Sequence, residues 1–395
     1  MIDKIRRNAH KLPLCLFYLG LTIEMAVVLI DRSALPPLPE GQIYRVTFLI
    51  FLLKVCFTKY TKKEWLLLVL FSVFTAGMYL VSGQNLALRA VFFVAAMRDI
   101  QIKAVMKYVF WFTLSGLLLI ITLSFLGIGR EIKLTTVYRE VVETRYHFGI
   151  GHPNTFYCMI LILILLFFYC YREKLRIWIL VVFSIAAFGL FLLTDSRTGF
   201  LVTALAILGA SLFYIFPKLK ETKWIYNVGM LIFLFCIGIS IWAAANSINA
   251  WDHPVIVQID RLLSGRMKIL YWDNAAHAGS LQTWKLFSTP DHFIYWHNFD
   301  MGWVRLFYWF GIIPGTIFTG LHLLLLNECK RKKDDMALLL IAIIAIYTIV
   351  EPQFISPYLG RNFLLFLFGL YWGQMMLADG GKDDYWWNAL RIKKG

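Results

Sequence analysis

The sequence predicts an all-α, polytopic membrane protein, a single integral domain over residues 1–395 with about twelve transmembrane helices. Mean hydropathy is +0.67, and only 16% of the residues are charged. Apolar runs recur from end to end, and a helix needs about 20 consecutive apolar residues to cross the hydrocarbon core. A soluble chain of this length would carry more charge and shorter apolar runs, so a soluble fold is excluded.

Twelve apolar segments fit helices that cross a membrane. The first follows a basic start (Met1 to Lys11) and has no small-residue cleavage site, so we expect it to be retained. In chain order the expected spans are 12–30, 42–58, 65–81, 83–98, 108–128, 152–171, 177–194, 199–216, 225–245, 301–326, 336–352 and 361–378.

The distribution of Lys and Arg predicts the orientation of these spans. Most of the 39 basic residues lie at the N-terminus, in alternate connections such as 327–335, and in the tail at 379–395. Basic connections stay on the cytoplasmic side of a membrane, so both termini and this tail are expected there. The net charge of +15 is then a topology signal and an attraction to anionic lipid, and it requires no nucleic-acid partner.

The remaining motifs indicate neither a cofactor nor a metal. The six cysteines have no metal-ligand spacing and none lies in an outward loop, so neither a zinc site nor a disulfide framework is expected. The sequence also has no phosphate-cradling glycine loop and no nucleotide fingerprint. Any energy for a reaction would therefore come with the substrate.

Several arginines lie where this topology places the outer face. A single outward arginine is commonly a snorkelling or salt-bridged interface residue. A group of them is disfavoured by orientation, and the guanidinium fork suits paired phosphate oxygens. We therefore expect an outward site for a phosphorylated, lipid-anchored ligand, with candidate residues Arg89, Arg197, Arg266, Arg305 and Arg361; Arg89, Arg305 and Arg361 are assigned from topology alone.

Two short outward segments hold residues at defined depths. Arg197 lies in a connection of about four residues between two spans, where Asp195 could also simply neutralise it. Ser196 could cap the following helix. In the sequence Gly-His-Pro-Asn at 151–154, Pro153 suits a first helical turn, and Asn154 is expected to cap or pack rather than take part in chemistry.

The long outward loop at 246–300 is expected to hold the active site. A helix is predicted from about Asp252 to Ala276, and it could alternatively just rest on the bilayer. Aromatic residues follow, either as an interfacial belt or as a surface on which sugar rings stack. His297 ends the loop, and nearby arginines would keep its imidazole neutral and able to accept a proton, although a structural role is the alternative.

Together these motifs resemble the O-antigen polymerase and O-antigen ligase superfamily over roughly residues 145–320. The segments that carry the resemblance are Phe191 to Gly199 (containing Thr-Asp-Ser-Arg), 151–154, 261–266 with Trp272 downstream, His297-Asn298, and Gly311 to Gly315. The resemblance implies a glycosyltransferase fold of the GT-C class in a bacterial cytoplasmic membrane. It also implies a metal-independent enzyme that acts on undecaprenyl-diphosphate-linked glycans at the outer face.

The resemblance implies roles at the matching positions. Arg197 and Arg266 would hold the donor's diphosphate, and His297 would activate or position the hydroxyl of a lipid-linked acceptor. Asn298, Trp272 and Trp296 would contact the acceptor or its sugars. Membrane lipid, a chain-length regulator and a flippase would be further partners. A single base opposite the leaving group predicts inversion, because a retaining enzyme normally needs a second carboxylate.

Our main hypothesis is a polymerase for a capsule, exopolysaccharide or O-antigen-type polysaccharide, which transfers a growing lipid-linked glycan onto the next lipid-linked repeat unit. A ligase that moves the finished glycan to a different lipid or wall acceptor is the second hypothesis. The sequence does not separate the two.

A lipid-linked sugar flippase or transporter is the hypothesis from another class. A carrier should concentrate polar groups at the midplane between two similar halves, whereas the conspicuous polar residue in mid-span is Glu24. The asymmetric outer loop therefore favours an enzyme. A membrane sensor would need a cytoplasmic output domain, and the tail from Asp379 to Gly395 is too short to be one.

Overall fold

The computed structural model describes residues 2–33, 38–138, 141–271, 279–290 and 300–377. Helices account for 77% of the described residues, which confirms the all-α class. The helices, in chain order, are α1 (Ile2–Arg32), α2 (Glu40–Cys56), α3 (Lys62–Ser82), α4 (Leu86–Ala96), α5 (Ile102–Phe125), α6 (Pro153–Tyr171), α7 (Ile177–Thr194), α8 (Arg197–Ile215), α9 (Lys223–Ala245), α10 (Pro254–Leu262), α11 (Arg266–Leu270), α12 (Gly302–Phe310), α13 (Ile312–Lys332), α14 (Asp335–Thr348) and α15 (Phe363–Leu377).

The chain is a multi-pass membrane protein. Within the described ranges, eight helices are long and apolar enough to cross a membrane: α1, α3, α5, α6, α7, α8, α9 and α13. The expected fourth span is shorter than predicted, because α4 has 11 residues and reaches only about 16 Å at 1.5 Å per residue. The expected eleventh span is similarly short in α14, which has 14 residues. The number twelve therefore stays a prediction.

The expected tenth span is wrong as a single helix, because the chain breaks at Gly311 between α12 and α13. Gly311 has a φ of 98°, which disfavours residues with a side chain. A Cβ at this position would also lie 2.6 Å from the carbonyl oxygen of Leu286 and 2.6 Å from the Cα of Phe287. The chain at 285–288 packs against this break, where Ile312 N donates to Lys285 O over 2.9 Å.

Helix α6 is the most buried of the eight. It contacts α5, α7, α8 and α14, while α4 contacts α2, α3 and α15. Small residues allow the close approaches: a Cβ on Gly209 of α8 would overlap Leu339 of α14, and one on Gly229 of α9 would overlap Leu338. This packing of small residues against larger ones drives helix association where lipid removes the hydrophobic difference.

Two features of the loops differ from the sequence prediction. Strands β1 (Lys133–Tyr138) and β2 (Val141–Tyr146) form an antiparallel hairpin that the sequence analysis did not predict. The helix expected to reach Ala276 instead ends at Leu262, because Ser264 (φ 58°) and Gly265 (φ 80°) are left-handed. The buried Asp260 carboxylate accepts from the backbone of Met267 over 2.8 Å and so caps the short helix α11.

Four connections contact one another at one end of the bundle, which we call the polar end. They are the segments 126–152, 195–196, 246–301 and 349–362, as far as each is described. Arg145 of the first donates to the carbonyl of Asp195, and Arg266 of the third donates to the carbonyl of Val350. The candidate site is therefore built from segments that are distant in sequence.

Candidate active site at the polar end

The centre of the polar end is the connection 349–362 between α14 and α15. The sequence analysis singled out only Arg361 in it. Phe354 and Ile355 are 1% and 3% exposed, so the segment is anchored inside the protein. Two of the candidate arginines donate hydrogen bonds to its backbone carbonyls. Arg266 donates to the carbonyl of Val350, and Arg89 donates to the carbonyl of Pro357. Buried carbonyls need such donors, so these arginines also stabilise the connection.

Glu351 joins this connection to two other segments. Its Oε1 accepts a hydrogen bond from Arg266 Nη2 over 2.7 Å and another from Asn154 Nδ2 over 2.9 Å. Glu351 and Arg266 are only 4% and 6% exposed. Burial raises the pKa of the Glu351 carboxyl to about 7, against the opposing effect of Arg266. This carboxyl therefore titrates near neutral pH, where an ordinary glutamate stays ionised.

Asn154 extends the network to the connection before α8. Its Oδ1 accepts from Ser196 Oγ over 3.0 Å and from Arg145 Nη2 over 3.4 Å. Of the two roles expected for Asn154, capping or packing, capping of α6 is wrong, because the Nδ1 atom of His152 accepts that hydrogen bond from the Asn154 backbone. Ser196 is at the N-cap position of α8, but its hydroxyl binds Asn154 instead of the helix backbone.

Two arginines lie next to this connection: Arg145 contacts its backbone from β2, and Arg197 is the first residue of α8. Arg145 is fixed, because it donates from Nε to Thr194 O and from Nη2 to Asp195 O, each over 2.9 Å. Arg197 is accessible: its side chain is 75% exposed, and the carboxylate of Asp195 lies 3.5 Å away. Exposed pairs of this kind contribute little, so a ligand could take over the Arg197 guanidinium at small cost.

The loop at 246–300 holds Arg266 in a position that the sequence analysis did not predict. The predicted helix from about Asp252 to Ala276 would include this residue, whereas Arg266 follows the end of α10 and is buried. Each nitrogen of its guanidinium donates: Nε to Val350 O, Nη1 to Leu263 O over 3.2 Å, and Nη2 to Glu351. The Asp300 carboxylate lies 3.8 Å from Nε.

The other candidate arginines lie around this network. Arg89 is buried and forms two hydrogen bonds with Glu24, over 2.8 and 3.1 Å, so the mid-span acid has a local partner. Arg305 lies over the ring of Trp309, with 4.8 Å to the ring centroid. Burial and the neighbouring Arg32 lower the pKa of Arg361 to about 10, which still leaves this side chain charged at neutral pH.

Two histidines also lie at the polar end. Burial lowers the pKa of His147, and the nearby Arg130 lowers it further; burial and Arg145 have the same effect on His152. Both imidazoles are therefore neutral at pH 7. His147 Nδ1 accepts from the backbone of Gly151, and His152 caps α6, so each has a local structural bond.

Four predicted site residues lie outside the described ranges: His297, Asn298, Trp272 and Trp296. Their roles stay predictions. Of the aromatic residues in this loop that are described, Trp284 stacks on Phe307 with ring centroids 5.2 Å apart, which is packing within the protein. In the described segments no three His, Cys, Asp or Glu side chains come together as a metal site, and the expected metal independence also stays a prediction.

Sequence reasoning missed Glu351, and it counted Arg145 among the outward arginines without selecting it as a site residue. A signal for Glu351 was present, because it is an acidic residue at the end of an expected apolar span, where an ionisable group points to a function. Arg145 had no comparable signal among the loop arginines. Comparisons with protein-family models, with curated proteins and with solved structures found no match to this chain.

Proposed function

We propose that this chain is a polysaccharide polymerase. It transfers a growing glycan from undecaprenyl diphosphate onto the next lipid-linked repeat unit, at the outer face of a bacterial cytoplasmic membrane. One observation supports this proposal above the others: Arg145, Asn154, Ser196, Arg266 and Glu351 form a hydrogen-bonded network. Three of the segments that meet there (151–154, 191–199 and 261–266) are among those that carry the family resemblance.

The arginines supply the chemistry that this reaction requires. As the bond between the anomeric carbon and the diphosphate breaks, negative charge grows on the leaving oxygen, so a guanidinium aimed there stabilises the transition state more than the ground state. Arg197 is exposed and weakly paired, which suits a residue that meets an incoming diphosphate. Arg266 is the second ligand. The positive charges of Arg305 and Arg361 raise the electrostatic potential at the site. Arg89 stabilises the connection 349–362, because it donates a hydrogen bond to Pro357 O.

The acceptor hydroxyl attacks from the face opposite the diphosphate and loses its proton to a base, for which His297 is our candidate. The new glycosidic bond forms as the old one breaks, and the anomeric configuration inverts. No second carboxylate nucleophile is needed for this route.

An apolar cavity beside the polar end also favours a lipid-linked substrate. It has a volume of about 200 Å³ and is lined by α3, α4, α12, α13 and α15, with Phe71 and Leu321 among its apolar residues. Its polar residues include Ser356 and Asn362, which belong to the connection 349–362. A hydrocarbon chain in this cavity would keep its headgroup near the arginines.

The test is a reconstituted reaction. The full chain, purified in detergent, is supplied with a lipid-diphosphate-linked repeat unit, and the products are sized by gel and mass spectrometry. We expect a ladder of lengths from the wild-type chain and none from Arg197→Ala. The control is Arg176→Ala, an exposed arginine at the other end of the bundle, which should give the wild-type ladder. A single transfer to a different acceptor would instead favour the ligase, and no transfer would overturn both.

A further inference from the structure

We propose that Glu351 is the counter-ion that the donor diphosphate displaces from Arg266, and that donor binding loads one proton from solution onto Glu351. Glu351 is then a positioning residue: it holds the arginine in the empty site and releases it to the donor. This inference rests on the proposed function, because it requires a diphosphate at Arg266.

The hydrogen bonds of Arg266 identify which contact can be exchanged. Its Nε and Nη1 donate to backbone carbonyls of Val350 and Leu263. Those carbonyls are fixed by the fold, whereas Nη2 donates to a side chain, the carboxylate of Glu351. A phosphate oxygen that reaches Nη2 must compete with this carboxylate, since both are anionic acceptors of the same donor.

The hydrogen bonds of Glu351 allow it to lose its contact with Arg266. Only its Oε1 is used, by Arg266 and Asn154 together, and Oε2 forms no hydrogen bond with the residues that the structure describes. Asn154 stays in place when Arg266 is lost, because its Oδ1 is held by Ser196 and Arg145. A neutral Glu351 therefore keeps one hydrogen bond and is not left without a partner.

The charges around Glu351 make a proton necessary when the donor binds. Facing it are Arg266 on α11, Asp300 before α12, Arg305 on α12, and the side chains of Cys158 on α6 and Tyr347 on α14. A diphosphate placed beside two carboxylates is repelled by both in this buried site. Burial has already raised the pKa of Glu351 to about 7, so this carboxyl can take up a proton near neutral pH.

A definite pH dependence follows. Above neutral pH, Glu351 is ionised in the empty site, so binding must first take a proton from solution and donor affinity falls by up to about tenfold per pH unit. Glu351→Gln keeps an oxygen that accepts from Arg266 and Asn154 but carries no charge. It should therefore bind donor about twofold more tightly than wild type at pH 7 and about tenfold more tightly at pH 8.

The experiment measures binding of undecaprenyl diphosphate to the full chain in detergent, by calorimetry between pH 7 and pH 9. Comparing variants at each pH removes the titration of the ligand itself. The matched control is Glu328→Gln, since Glu328 is also a buried glutamate paired with an arginine, Arg331, at 2.6 Å, but lies at the end of α13 away from the polar end. We expect it to keep the wild-type pH dependence. Repeating wild type in two buffers of different ionisation enthalpy should show uptake approaching one proton at pH 8.

Three outcomes would contradict either the role of Glu351 alone or the polymerase proposal as well. Equal pH dependence in wild type and Glu351→Gln would overturn the role of Glu351 and leave the polymerase proposal standing. Failure of wild type to bind undecaprenyl diphosphate at any pH would overturn both. Should Glu351→Gln not fold, infrared difference spectra of the wild-type chain decide: donor must raise the protonated-carboxyl band at pH 8, and an unchanged band would overturn the inference.

Discussion

The side chains of Asn154 and Glu351, 197 residues apart in the chain, are joined by a hydrogen bond of 2.9 Å. This bond connects the start of α6 to the connection 349–362. Arg266 donates to the same carboxylate oxygen, so a change at any of the three residues alters the hydrogen bonds of the other two.

Arg197 should separate ligand binding from stability. Its exposed pair with Asp195 contributes at most about 1 kcal/mol, so Arg197→Ala should leave the melting temperature in detergent nearly unchanged. Transfer activity should nevertheless be lost. Arg197→Lys should also lose most activity, because an ammonium cannot form the paired contacts of a guanidinium with a diphosphate. Full activity in the lysine variant would remove the case for forked contacts at this position.

Arg266→Ala should lose both activity and stability. It leaves the buried Glu351 without its cation and Val350 O without a donor, and removing one member of a buried ion pair costs roughly 3–5 kcal/mol. The melting temperature should therefore fall sharply. The double variant Arg266→Ala with Glu351→Gln should recover part of that loss, because the uncompensated charge is gone. A double variant no more stable than Arg266→Ala would show that charge is not the cause.

Because of Glu351, the free energy of unfolding of the wild-type chain should fall as pH rises. Its pKa is raised from the ordinary 4.5 to about 7 by burial, so the folded state holds this proton more tightly than the unfolded state does. Its stabilising effect is complete below about pH 4.5 and is lost as pH rises through about 7. The free energy of unfolding of Glu351→Gln relative to that of wild type should therefore increase as pH rises across that window, by roughly 3 kcal/mol. Melting temperatures at a series of pH values test this, and a constant difference between the two chains would contradict it.

Gly311 should be intolerant of a side chain. Its φ of 98° and the 2.6 Å approach of the Leu286 carbonyl both oppose a Cβ, so Gly311→Ala should destabilise the chain by more than about 1 kcal/mol. Gly238→Ala in α9 is the control, because nothing lies within 4 Å of its Cβ position and alanine favours a helix. Similar melting temperatures for the two variants would show that the chain at 285–288 can move away.

His297→Gln should reduce turnover by about a hundredfold, the usual scale for loss of a general base, with little change in donor binding. The acid limb of the pH–rate profile should disappear as well. Near-normal turnover with the same acid limb would make His297 structural and direct the search for the base to Asp291, Asp300 and the other carboxylates of the loop.

The sequence alone determined the class of the molecule and selected several candidate site residues. Hydropathy predicts the helices because a chain inside lipid must satisfy its own backbone hydrogen bonds, which a helix does within one local segment. Arg197 and Arg266 were found because outward arginines conflict with the usual charge distribution of a membrane protein.

Only the tertiary structure decided how these residues are used. The sequence assigned Arg197 and Arg266 the same role, yet one is exposed and the other is buried against Glu351. The breaks at Gly265 and Gly311 were also hidden within apolar patterns that continue across them. Periodicity reports neighbours three or four residues away, whereas the partners of Glu351 lie 85 and 197 residues away and meet only when the helices pack.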